Sequence, residues 1–244
     1  MTFRVAATPL DKKVQSMQVF IAGSGKLASE LLEHLVSSTE FTVSAWTDEP
    51  EVADRCIVVH AGSGRQLDGI AKFCRQTSSA LVELSTGSSL EGSNPAFPVV
   101  LCPNTNILML KFMCMLERSG GFYKGLDVSL TESHQAGKTS VPGTAVVMAQ
   151  AIGLAPTQIE SVRPPDQQVN KLGIPPDQLS RHAFHRIEIK DGSCSVTLET
   201  RVYGNAPYAS GVQKILAAVC RRVLSGELQP RIYAITELIE SGWL

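Results

Sequence analysis

Val19-Phe20-Ile21-Ala22-Gly23, followed without a break by Gly23-Ser24-Gly25-Lys26-Leu27-Ala28, decides the fold of this chain. The first five residues form a short apolar run of the kind buried on both faces of a parallel sheet. A helix-prone segment, Ser29 to Val36, comes next, with Leu31, Leu32, Leu35 and Val36 on one side. Strand, G-x-G-x-x-A and helix in that order make a nucleotide-binding pattern in its required context. The first glycine makes the turn, the second admits a pyrophosphate, and the small third residue lets helix and strand pack. Gly23, Ser24, Gly25, Lys26 and Leu27 are therefore the expected phosphate loop.

Outward from that unit the same alternation continues. A second strand, Phe41 to Trp46, ends at Thr47-Asp48-Glu49. Asp48 lies about twenty residues beyond the glycines, where a carboxylate binds the adenosine ribose and favours NAD. Arg55 or Lys26 facing a 2′-phosphate is the alternative, so NADH and NADPH both stand. Cys56 to His60 is a third strand, reached too soon for a full crossover helix. A helix from Arg65 to Gln76 and strands Ala80 to Leu84 and Pro98 to Cys102 follow. Their carboxyl ends carry Ser85-Thr86-Gly87 and Pro103-Asn104-Thr105-Asn106, at the edge where open α/β sheets bind ligands. His60, at a strand end, either meets a cofactor or is a hydrogen-bonded structural histidine.

The helix Ile107 to Arg118 is strongly apolar, and its methionines read as packing. After a strand at Leu126 to Leu130 comes Glu132-Ser-His-Gln-Ala-Gly-Lys-Thr-Ser-Val-Pro-Gly-Thr-Ala145. It holds an imidazole and an ammonium four residues apart, His134 and Lys138, and then Pro142-Gly143-Thr144 where a helix should begin. A helix start presents unpartnered N–H groups and a positive dipole end. Thr144 is placed to cap it, and Gly143 to let a ligand approach the backbone. A proton donor, a cation and an oxyanion-binding helix end in one loop suit a small carboxylate substrate. Glu132 is expected to orient a neighbour. The second half continues with a Pro-rich loop, Val162 to Pro176. Strands Ala183 to Ile189 and Ser195 to Val202 then flank an Asp191-Gly192 hairpin turn, and Tyr208-Ala209-Ser210-Gly211 opens a last long helix, Val212 to Leu224. Arg181 and Arg186 read as strand-edge or subunit-contact charges.

Composition narrows the function classes. A formal net charge of −1 over 244 residues offers no basic footprint for nucleic acid, and no apolar run reaches the length of a membrane span. Met1 to Ser16 lacks the apolar core of a secretion signal and reads as a loose leader. The six cysteines have no paired metal spacing and several sit inside apolar runs, as buried free thiols do. His182 and His185 lack a carboxylate–histidine spacing, so no metal is expected. The default is a soluble cytoplasmic protein.

From about Val19 to its end the chain resembles the 4-hydroxy-tetrahydrodipicolinate (dihydrodipicolinate) reductases of lysine and diaminopimelate synthesis, whose signature is E-x-H-H-x-x-K-x-D-x-P-S-G-T-A. Glu132, His134, Lys138, Pro142, Gly143, Thr144 and Ala145 keep its order and most of its spacing. The resemblance implies an α/β protein: a Rossmann-like dinucleotide-binding domain, here residues 1–106 and 206–244, plus an α+β substrate-binding domain, residues 107–205, whose mixed sheet builds a homotetramer. It implies hydride transfer from NADH or NADPH to a cyclic imine dicarboxylate. His134 matches the general acid, and Lys138 the residue that engages substrate and assists protonation. Gly143 and Thr144 match donors to a carboxylate. Ser85, Thr86, Asn104 and Thr105 fall at the nicotinamide end, with Gly87 and Pro103 beside them. Four departures stand out. Gln135 replaces the second histidine, a substrate ligand; Ser140 replaces the aspartate; a serine is missing between Pro142 and Gly143; and Asn205 sits where an arginine is usual. The acid–cation pair is kept while the carboxylate clamp is changed. A reductase of another cyclic imine or keto acid, or a catalytically silent dinucleotide-binding scaffold, are the alternatives.

Overall fold

A computed structural model describes residues 16–47, 50, 55–138, 142–204 and 208–244. Asp48, Ser140, Asn205 and all but the last residue of the Met1–Ser16 leader lie outside the described residues. In chain order the elements are β1 (Met17–Ala22), α1 (Lys26–His34), β2 (Phe41–Ala45), β3 (Ile57–His60), α2 (Leu67–Thr77), β4 (Ala80–Glu83) and β5 (Val99–Leu101). There follow α3 (Ile107–Ser119), β6 (Asp127–His134), α4 (Gly143–Ala151), β7 (Ile159–Val162), α5 (Pro165–Asn170), β8 (His182–Asp191), β9 (Cys194–Tyr203), α6 (Ala209–Ser225), β10 (Ile232–Ala234) and α7 (Ile235–Glu240).

The strands form two sheets. The first is parallel throughout, in the order β10-β5-β4-β3-β1-β2. Every residue of β3 and β4 is buried, because helices cover both faces. Alternate side chains go to opposite sides. Val19, Ile21, Ile57, Val59, Ala80 and Val82 pack with Leu31 of α1 and Val212, Leu216 and Val219 of α6. Phe20, Val58 and Leu81 pack with Leu67, Ile70 and Cys74 of α2. Trp46 closes that second layer with edge-on contacts to Phe20 and Phe73. The second sheet, β7-β6-β8-β9, is mixed: β7 runs parallel to β6, and β8 and β9 are antiparallel. One face buries Leu130, Ile187 and Ile189 under α3 and α4. Phe184, Val162, Leu172 and Ile174 make a small core on the other. The α/β class with one parallel and one mixed sheet is the architecture expected.

Several boundaries moved. α1 begins at Lys26 rather than Ser29, since nothing in Lys26-Leu27-Ala28 opposes a helix. α6 begins at Ala209 rather than Val212. β6 runs to His134, well past the expected end at Leu130, so the acid site starts on a strand and not in a loop. The Pro-rich stretch holds a helix, α5, because a proline at a first helical position forfeits no hydrogen bond. The short β7 and β10, and α7 after them, had no periodic signal long enough to read. At the hairpin, Asp191 pairs with Cys194 and Gly192 takes φ 58°, as a primed turn requires. All six cysteines are unpaired, five of them buried. Burial pushes Cys56 up to about 11 and Cys102 to about 12, which keeps these thiols protonated and inert.

Candidate active site

The carboxyl ends of β1, β3, β4 and β5 share one edge of the parallel sheet, and the phosphate loop lies there. Gly23 has φ 135°, and a Cβ on it would stand 2.5 Å from the Ala61 carbonyl oxygen, so only glycine turns this corner. Gly25 is the opposite case: a Cβ there would meet nothing within 4 Å. It precedes α1 and offers no side-chain cap, which leaves the first N–H groups of that helix to an outside anion. A tight corner beneath an open, uncapped helix start fits a pyrophosphate.

At the ends of β3 and β4, His60 and Glu83 are buried together, His60 Nδ1 lying 2.8 and 2.9 Å from the two carboxylate oxygens. Glu83 also accepts the Ser85 N–H at 2.8 Å, and Ser85 Oγ donates to the Gly62 carbonyl at 2.8 Å. Nδ1 is thus held as in a structural histidine, while His60 also lines the cleft beside these strand ends and its Nε2 has no partner among the described residues, so both roles stay open. The pair ties the Ser85-Thr86-Gly87 loop to the Gly62 loop, and both line a cleft of about 740 Å³. After β5, Asn104 Oδ1 accepts the Asn106 N–H at 3.0 Å, and Asn106 Oδ1 caps α3 by accepting the Met109 N–H at 3.1 Å. α6 starts hard against this loop: a Cβ on Gly211 would fall 1.7 Å from the Thr105 carbonyl oxygen.

A second cleft, also about 740 Å³, shares Leu27 and Leu84 with the first. One wall carries Lys26, Pro103, Asn104 and Thr105; the other carries His134, Gln135, Lys138 and Thr144. Gly23, Ser24, Gly25 and Gly143 do not line either cleft. Thr144 does not cap α4: the helix already begins at Gly143, Pro142 holds the cap position, and among the described residues no side chain caps it. Its hydroxyl is thereby left to the cleft.

The chemistry is organised by Glu132, which is wholly buried. β-strand alternation puts Glu132 and His134 on one face, and Oε2 accepts His134 Nδ1–H at 2.9 Å. Oε1 accepts Arg163 NH2 at 2.6 Å and the Ser161 hydroxyl. Burial alone would raise this carboxyl, but the bonds from His134, Arg163 and Ser161 outweigh it and hold Glu132 at about 2. An ionised carboxylate only accepts, so in the neutral imidazole the proton sits on Nδ1 and Nε2 is the open nitrogen. Arg163 also donates Nε–H to the Lys138 carbonyl at 2.9 Å, which ties the cation's backbone to the acid's partner. Gln168 on α5, fully buried, donates to the His134 carbonyl at 2.7 Å and to Ser133 Oγ at 3.0 Å. His185, the cross-strand partner of Glu132, stands edge-on to His134 with ring centroids 5.7 Å apart. Burial and then the neighbouring His134 lower His185 to about 4, so it stays neutral.

Sequence reasoning had no means of finding Arg163, Ser161, Gln168 or Glu83, which reach the site only through strand pairing and packing. Arg186 is a strand charge as expected, paired with Glu199 at 2.8 Å. Arg181 stands at the edge of β8, as expected, and also lines the cleft. Among the described residues no helix is long and apolar enough to cross a membrane.

No family model matches the chain. Over 135 residues it is 30% identical to the probable 4-hydroxy-tetrahydrodipicolinate reductase 2, chloroplastic, of Oryza sativa subsp. japonica, covering 52% of this chain and 41% of that protein. It is also 30% identical over 135 residues to 4-hydroxy-tetrahydrodipicolinate reductase 2, chloroplastic, of Arabidopsis thaliana, covering 52% and 38%. The match thus spans about two fifths of these relatives' length. In fold the chain is similar to a dipicolinate-bound dihydrodipicolinate reductase from Paenisporosarcina sp. TG-14, with TM-score 0.64 and 17% identity over 92% of this chain and 100% of that one.

Proposed function

From its kinship with the 4-hydroxy-tetrahydrodipicolinate reductases, we propose that this chain is an NAD(P)H-dependent reductase of a cyclic imine dicarboxylate, with 4-hydroxy-tetrahydrodipicolinate as substrate. One observation carries the reading. Glu132, behind the cleft, bridges His134 and Arg163, and His134 with Lys138 lines the same cleft as the Pro103–Thr105 loop.

A nicotinamide dinucleotide supplies hydride when bound, and Gly23, Gly25 and the start of α1 are the residues that would hold its pyrophosphate. Ser85, Thr86, Asn104 and Thr105 would meet its reactive end. The chain's own part is proton delivery and charge neutralisation. His134, aimed by Glu132, presents Nε2 to the cleft and supplies the proton that accompanies the hydride. The anchored Glu132 carboxylate stabilises the charged imidazole before transfer. Lys138 neutralises a substrate carboxylate, and Thr144 with the start of α4 donates hydrogen bonds to it. Assembly as a homotetramer through the mixed sheet is part of the proposal; β9, a ten-residue edge strand that is mostly exposed, is the surface that supports it.

The test is cofactor oxidation by the full chain, with NADH and NADPH in turn, over freshly generated 4-hydroxy-tetrahydrodipicolinate. Turnover with at least one cofactor is expected; none with either overturns the proposal and leaves the silent scaffold. Gln135, a neutral amide in the cleft, favours a second reading, a reductase of another cyclic imine or keto acid. Clear preference for a monocarboxylate imine in a substrate panel would establish that instead.

A further inference from the structure

The cleft that holds His134 is lined, among the described residues, by three cations, Lys26, Lys138 and Arg181, and one acid, Glu30. Lys26 opens α1, where a phosphate would sit, and Lys138 belongs to the acid loop. Arg181 has no part in either. It precedes β8, and Ala183, two residues on, is the cross-strand partner of His134. At about 3.3 Å per strand residue, the Arg181 backbone, just before β8, therefore lies about 7 Å along the sheet from Ala183 and the His134 backbone paired with it. The guanidinium is one-third exposed and meets the Glu30 carboxylate through NH2 at 3.5 Å, the outer limit of a hydrogen bond. Glu30 is itself buried on α1 and occupied on its other oxygen by the Tyr208 N–H at 3.2 Å. One carboxylate oxygen at long range uses little of a fork with five donors.

We infer that Arg181 is the specificity-determining anchor for the second carboxylate of the substrate, with Glu30 steering its guanidinium toward the cleft. This rests on the reading of the cleft as an acid-binding reductase site, and deepens it. The first carboxylate goes to Lys138, Thr144 and the start of α4. The second needs its own cation, and the replacements at Gln135 and Asn205 carry no charge. Arg181 supplies that charge from a different element, and a guanidinium can grip a carboxylate through two parallel hydrogen bonds.

The experiment uses two non-reducible probes, pyridine-2,6-dicarboxylate and pyridine-2-carboxylate, titrated calorimetrically into the full chain with nicotinamide dinucleotide bound. Wild type is expected to prefer the diacid. Arg181→Gln should weaken diacid binding roughly tenfold to a hundredfold, the range for a charge-assisted contact, and leave monoacid binding unchanged. Arg181→Lys should fall between, and in turnover Arg181→Gln should raise KM while kcat is largely kept. If Arg181→Gln weakens both probes equally, or neither, the inference is overturned while the proposed function stands. If wild type binds neither probe, the acid-binding reading of the cleft fails and takes the inference with it. A thermal midpoint within a few degrees of wild type shows that the variant is folded.

Discussion

Replacing Glu132 by glutamine isolates the charge at the centre of the site. The folded chain holds this carboxyl at about 2 against an ordinary value of 4.5. That difference is worth about 3 kcal/mol in favour of the ionised form, at about 1.4 kcal/mol per pKa unit. A carboxyl lowered by folding stabilises the protein above its unfolded value, and the benefit disappears as pH falls through the folded one. Glu132→Gln is therefore expected to lose about 3 kcal/mol at pH 7, with the gap to wild type narrowing below about pH 4.5 and closing near pH 2. Urea unfolding of both proteins at pH 7 and pH 3 measures it, since urea leaves electrostatics unscreened. A loss under about 1 kcal/mol at pH 7, or the same loss at both pH values, would refute the reasoning.

Three further outcomes follow from neighbouring groups. His185 is lowered from 6.5 to about 4, so the fold favours its neutral form; stability should fall by up to about 3 kcal/mol as pH drops from 6.5 to 4, and His185→Gln should flatten that slope in the same urea titration. Arg163→Gln removes the strut between Glu132 and the Lys138 backbone, and kcat should fall about tenfold to a hundredfold while dinucleotide affinity is kept; an unchanged kcat would show the strut to be idle. Gly211→Ala drives a methyl into the Thr105 carbonyl, so α6 must move off the Pro103–Thr105 loop; a loss of about 1–3 kcal/mol in thermal unfolding should come with weaker dinucleotide binding.

What could be read from the residues was what is local. The run from Val19 to Ala28 carries its strand, its turn and its helix in ten residues, and Gly23 is needed for a contact with a loop that the same alternation supplies. The acid loop was legible because His134, Lys138 and Pro142-Gly143-Thr144 are close in sequence. The cap was misplaced by two residues: Pro142, not Thr144, takes the cap position, and the helix starts at Gly143, before the threonine rather than after it. Arg163 was out of reach because it meets Glu132 only when β7 lies parallel to β6, setting Ser161 beside Glu132. Glu83 and His60 are likewise joined by the register of β3 and β4. β10 has three residues, too few to show a period, and is found only by its place beside β5. Arg181 looked like a strand-end charge because nothing in one sequence says that the strand end opens on the cleft.

The central claim is that a strand-borne imidazole, fixed by a buried carboxylate, hands over the proton while a neighbouring loop holds the cofactor. The most direct measurement is kcat of His134→Ala against wild type, with dinucleotide affinity measured on both. A fall of about a hundredfold to ten-thousandfold in kcat with unchanged cofactor binding is the expected result. Turnover within a few-fold of wild type would contradict the account.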